Sequence, residues 1–268
     1  MRVQPVLAAA EWGGEFEGAL DPINSLFRFP YFADWGIFSI NRTILIAWFM
    51  TIVAGAVFFA AFRDPKLIPG KLQAAGEAVV EFVRNEIAVA IIGPKGVRFV
   101  PLLTTMMVTI FFLNVAKITP FMMLPPTGLI AWPLFLALIS WVVYVGVGIK
   151  EQGFGHYFKE MAFPPGVPKV LYVILTPIEL VSTLILRPFT LMIRLFANMA
   201  AGHILIVITL VTIHVFLPSM PVGWMVGTFA LLVSPVVFGF ELLIVTLQAY
   251  IFTMLTAVYI ASSVEPAH

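Results

Sequence analysis

VGWMVGTFALLVSPVVFGFELLIVTLQAYIFTMLTAVYIASSV, running from Val222 to Val264, is an almost unbroken apolar stretch whose one charged residue is Glu241. As a helix of about 40 residues it would be roughly 60 Å long. The hydrocarbon core of a bilayer is only about 30 Å thick. The preceding stretch, Val170 to Leu217, presents the same problem, at nearly 50 residues and roughly 70 Å. Each is either two spans or one long, steeply tilted helix. Pro188 and Pro235 are the candidate breaks, but neither sits in a polar turn, which a re-entrant hairpin needs. The pattern therefore favours two long tilted helices joined at Pro218-Ser219-Met220-Pro221.

Upstream, three shorter apolar stretches lie at about 44–62, 99–117 and 130–149, the last entered through Pro125-Pro126-Thr127-Gly128. Each approaches the roughly 20 residues that cross a bilayer. Between the first two, residues 71–92 set Gln73, Glu77, Glu81 and Arg84 on one side of a helix and Leu72, Ala75, Val79, Phe82 and Val83 on the other. Such an amphipathic helix is too polar to span and belongs at the interface or over other helices. Residues 1–39 are mixed and partly acidic and read as an irregular external tail with at most a short surface helix. The expected architecture is an all-α integral membrane fold with five crossings and one interfacial helix. Residues 40–268 form a single domain, in contact with the lipid bilayer.

Composition agrees. Of the 268 residues 61% are hydrophobic and 11% charged, against about 25% charged in soluble domains. Mean hydropathy is +1.03. A net charge of +1 gives no reason to expect nucleic acid, and the lack of cysteine excludes disulfides and thiolate chemistry. The apolar run Val6–Ala10 is shorter than a signal-peptide core of about 7–15 residues, so no cleaved signal is expected. Nine of the fifteen cations fall in two loops, around 63–98 and 150–169, while the loops around 120–128 and 216–223 contain none. The positive-inside rule then puts the N-terminus outside and the C-terminus in the cytoplasm.

Ionisable groups within apolar stretches are expensive and by default mark an ion path. Here they are Glu179, Arg187, Arg194, His203, His214 and Glu241. Simple readings exist for some. Arg187 and Lys117 can snorkel, His214 lies near the outer turn, and Glu179 is early enough to be a solvated end charge. Arg194 resists such a reading, with more than twenty residues of its stretch on each side. The midpoint of Arg194 and Gln248 is position 221, and that of His203 and Glu241 is 222. A hairpin turning there sets Arg194 level with Gln248, and His203 level with Glu241. At 100° per residue, however, Arg194 and His203 point to opposite sides of an ideal helix, while Glu241 and Gln248 share one. Either a local irregularity brings the pairs together or they serve different surfaces.

Arg187-Pro188-Phe189-Thr190-Leu191-Met192-Ile193-Arg194-Leu195-Phe196-Ala197-Asn198-Met199-Ala200-Ala201-Gly202-His203 resembles the signature of the bacterial F-type ATP synthase a-subunit family. Leu247-Gln248-Ala249-Tyr250-Ile251-Phe252-Thr253-Met254-Leu255-Thr256 is similar to its second signature. Pro69-Gly70-Lys71-Leu72-Gln73 and Phe112-Leu113-Asn114 also match, in order and spacing. The resemblance implies a non-catalytic, proton-translocating stator subunit in the cell membrane. Its implied partners are a c-subunit ring, the b-subunit stator stalk and other ATP synthase subunits. No cofactor or metal is implied. Arg194 matches the arginine that sits between two offset half-channels and attracts a deprotonated ring carboxylate. Gln248 and Asn198 match positions near it. His203 and Glu241 match an outer half-channel pair with acid and imidazole exchanged relative to several bacterial members. Glu179 resembles an inner half-channel acid. Lys117 stands where some members carry an acid.

Two other classes compete. A secondary transporter would also bury midplane charge, but no internal repeat is visible, as many transporters show. A scaffold without an ion path would tolerate loss of Arg194 and Glu241. A membrane enzyme lacks support, since no HExxH, phosphate loop or nucleophile motif is present.

Overall fold

The structure, a computed structural model, describes residues 31–35, 38–119, 122, 125–162, 172–218 and 222–264. Residues 1–30 of the expected tail and the centre of the turn between the long helices lie outside the described residues. The tail's last part differs from the irregular path expected. Tyr31–Trp35 (β1) and Phe38–Asn41 (β2) pair antiparallel, with Ala33 opposite Ile40 and Trp35 opposite Phe38. Both segments are rich in aromatic and β-branched residues, which favour extended pairing.

Among the described residues, all else that is regular is helical. Five helices among these described residues are long and apolar enough to cross a membrane: Arg42–Phe62, Pro94–Val115, Ala131–Gln152, Ile174–Phe216 and Gly223–Val264. The first is α1 (Arg42–Phe62). The amphipathic segment is α2 (Lys71–Phe82), which widens into a π-helical stretch over Val83–Ile92. A short 3-10 turn, Pro94–Phe99, leads into α3 (Val100–Val115). Then follow α4 (Ala131–Gln152), the surface helix α5 (Phe154–Ala162) and α6 (Tyr172–Val181). A π turn at Ser182–Leu186 passes into α7 (Arg187–Phe216). The last helix is α8 (Val222–Val264), which runs unbroken through Pro235. Pro188 comes just after that π turn, where the hydrogen-bond ladder is already shifted. Neither proline splits its stretch, so the two long helices are continuous. Near the turn the two backbones come close enough that a Cβ on Gly227 would lie 2.8 Å from the Phe216 carbonyl carbon.

The amphipathic segment does not bury the faces its pattern suggests. Gln73, assigned to the polar side, is buried, whereas Leu72 and Phe82 are exposed. The reason is a local clasp. The Lys66 backbone N–H donates to Gln73 Oε1 at 3.2 Å, and Gln73 Nε2 donates to the Lys66 carbonyl at 3.1 Å and to Glu77 Oε1 at 2.7 Å. These bonds satisfy the amide and close the turn between α1 and α2. Of the expected apolar side only Val83 is buried; downstream it joins Ile87, Ala88 and Ile92 against Leu103, Tyr144 and Ile260.

A second cluster joins Met106, Ile110, Leu136, Leu191, Leu195 and Phe252, and so ties α3 and α4 to the long pair. Ala47, Ala88, Ala116, Ala137 and Ala257 are fully buried. Lipid tails remove the hydrophobic incentive for helices to associate, so close approach at small residues and hydrogen bonds carry the packing instead. Ser140 and Thr256 share such a bond between α4 and α8 at 2.7 Å.

Candidate functional site on the long helix pair

The α7 sequence presents its large apolar side chains at helical spacing, and Leu191, Leu195, Met199, Gly202 and Ile206 form the buried face. His203 falls on that face too. Arg194 falls on the other, together with Thr190, Ala197 and Ala201, all exposed. The two sides anticipated from the 100° period are therefore real. Among the described residues, the Arg194 guanidinium donates to no acceptor and pairs with no carboxylate. One turn on, Asn198 Nδ2 donates to Gln248 Oε1 of α8 at 3.0 Å. The hairpin thus brings Gln248 to within a helical turn of the level expected for it.

The second polar group lies within the bundle. Glu241 of α8 is fully buried, with its carboxylate at the backbone of Gly202, beside His203. The Nζ of Lys117 makes an ion pair with Glu241 Oε2, and both side chains are only 1% exposed. Lys117 follows α3 in the chain, so three elements meet here: the end of α3, α7 at Gly202 and His203, and α8 at Glu241. Both ring nitrogens of His203 are buried without a hydrogen-bond partner.

Lys117 is the residue that sequence reasoning misread. A lysine at a span end usually snorkels its ammonium to water, but this one turns inward. A buried carboxylate needs a counter-charge, and Glu241 is in reach. The available signal was two opposite charges in apolar surroundings, each lacking a partner on its own helix. Arg187 also does more than snorkel. Its Nη1 donates to Ser262 Oγ at 3.0 Å, and its guanidinium lies 5.2 Å from the Tyr259 ring centroid. It therefore fastens the start of α7 to the end of α8. Glu179 is half-buried on α6 without an ion pair among the described residues, and His214 is exposed. Among the described residues no three His, Asp or Glu side chains are grouped to hold a metal.

The sequence profile of the family described as ATP synthase A chain matches residues 44–261. The chain belongs to this family. A protein of Frankia alni named ATP synthase subunit a is 42% identical over 266 residues, covering 97% of this chain and 89% of the relative. Its namesake in Rhodococcus erythropolis is 43% identical over 227 residues, covering 84% and 82%. That of Streptomyces lividans is 35% identical over 259 residues, covering 94% and 91%. As a member of the ATP synthase A chain family, this is a multi-pass membrane subunit of the proton-translocating sector. It works in ATP synthesis with other subunits of the complex, and the catalytic sites are on those subunits.

Proposed function

We propose that the chain is the stator against which a ring of carboxylate-bearing c subunits turns, with Arg194 facing the ring between two half-channels that do not meet. The exposure of Arg194 on a helix face it shares with Thr190, Ala197 and Ala201 carries this reading. A lipid-facing arginine at mid-span costs about 2.5–3.5 kcal/mol on insertion scales. A partner that brings a carboxylate to it removes that cost. The flanking Ala197 and Ala201 on the same face leave room for another helix to come close.

The chemistry follows from the guanidinium. It stays protonated at any physiological pH and cannot relay a proton. It favours the ionised form of a carboxylate beside it, so a ring carboxylate arriving at Arg194 releases its proton inward. It equally bars a proton from crossing directly between the half-channels. The Asn198–Gln248 bond braces the helix one turn away. His203 and Glu241 serve the outer half-channel, and Glu179 the inner. The N-terminus lies outside and the C-terminus in the cytoplasm of the cell membrane, and the b-subunit stalk holds the chain against the ring's drag. A potential of 100 mV supplies about 2.3 kcal/mol per proton.

The test is proton transport in inverted membrane vesicles that carry the whole complex. Arg194→Ala should abolish both ATP-driven pumping and ATP synthesis while the complex still assembles. A passive leak would add that Arg194 separates the half-channels. Pumping at near wild-type rates would overturn the reading and favour a scaffold without an ion path.

A further inference from the structure

The buried cluster holds one more ionisable group than an outer half-channel pair requires. Lys117 and Glu241 are in contact and together carry no net charge. Gly202 closes over them, since a Cβ there would overlap both the ammonium and the carboxylate. The Glu241 carboxylate is thus engaged by the Lys117 ammonium through Oε2, while Oε1 is buried without a hydrogen-bond partner. His203, next along α7, is buried yet has neither ring nitrogen committed.

We infer that Lys117 and Glu241 act as one charge-compensated unit, in which Lys117 positions the Glu241 carboxylate and leaves His203 to hand the proton on. This inference rests on the stator reading above and assigns separate roles within its outer half-channel. An imidazole suits the task, because a neutral ring takes a proton on its free nitrogen and releases one from the other. A carboxylate clamped by an ammonium is a poor relay, because each proton it gained would leave the ammonium without its counter-charge. Removing one member of a buried pair strands the other, which is far more damaging than removing both.

That asymmetry gives the test, again in whole-complex vesicles. Lys117→Gln and Glu241→Gln should each lower ATP-driven pumping by at least about tenfold, because each leaves a buried charge uncompensated. The double variant Lys117→Gln/Glu241→Gln should exceed either single variant several-fold, since coupled neighbours are not additive. Lys117→Arg, which keeps the charge, should recover most of what Lys117→Gln loses, and His203→Ala should stop pumping. The amount of assembled complex is measured alongside. Singles that fail to assemble beside a double that assembles support the same compensation. A double variant that assembles but pumps no better than Glu241→Gln would show that Glu241 carries protons itself. A double that fails to assemble where a single succeeds would also overturn the inference, as would wild-type pumping by Lys117→Gln. The stator reading stands or falls separately, on Arg194→Ala.

Discussion

At Gly202 the backbone of α7 passes so close to Lys117 and Glu241 that an added Cβ would lie 2.8 Å from Glu241 Oε1 and closer still to the other oxygen and the ammonium. Lys117 holds the carboxylate in this place. Gly202→Ala should therefore destabilise the subunit by about 1–3 kcal/mol, as overpacking does, and should lower ATP-driven pumping as well. Thermal inactivation of the purified complex measures the first effect. Gly146 of α4 is the control, since a Cβ there meets open space. Gly146→Ala should be neutral or should raise the inactivation temperature slightly, because alanine is favoured over glycine in helices by up to about 1 kcal/mol. The same residue-level logic separates three cations in apolar surroundings. Lys117 is paired inside, Arg187 is fastened to Ser262 and Tyr259, and Arg194 is exposed without a partner among the described residues. In sequence Arg194 stands apart by its place in mid-stretch, whereas Lys117 and Arg187 look alike.

Among the elements, the π turn at Ser182–Leu186 is the irregularity of the fourth span. A π turn shifts the hydrogen-bond ladder and leaves backbone carbonyls to find other donors. One of them, the Thr183 carbonyl, accepts the Tyr144 hydroxyl of α4 at 2.7 Å in a buried setting. Tyr144 is thus both a core side chain and the patch on a break in the neighbouring helix. Tyr144→Phe keeps the ring and strands the carbonyl, so it should cost about 1–3 kcal/mol. A lower temperature for thermal inactivation of the complex would register it. An unchanged temperature would mean that water or another donor takes the place of the hydroxyl. The amphipathic segment gives the opposite lesson. Its polar–apolar alternation located the element, but the Gln73 clasp to Lys66 decided which residues its first turns bury.

For the whole molecule, one side of α7 is buried on the bundle through Leu191 and Leu195, and the side that carries Arg194 is exposed. Ala197 is exposed beside Arg194, whereas Met199 is buried only two positions later. The chain has no cysteine, so a single introduced thiol reports on one place. With a cysteine placed on the facing helix of the c subunit, Ala197→Cys should form an oxidative cross-link in membranes and Met199→Cys should not. Gel mobility under non-reducing conditions reads the result. Cross-linking at Met199 and not at Ala197 would put the ring on the wrong side of α7.

The sequence by itself determined the spans, the amphipathic segment, the long hairpin and the approximate level of its polar residues. These follow from apolar length, from helical period and from distance along one antiparallel pair, all of which are local or nearly so. It also carried the family, because both signatures lie in continuous stretches of α7 and α8. Only the tertiary structure decided that Lys117 meets Glu241, that Gly202 lies against that pair, and that His203 is buried while Arg194 is exposed. Those facts depend on where a third helix ends against the hairpin, and on which side of α7 the bundle covers. A single helix's periodicity shows that it has two faces, and only its neighbours settle which one they bury.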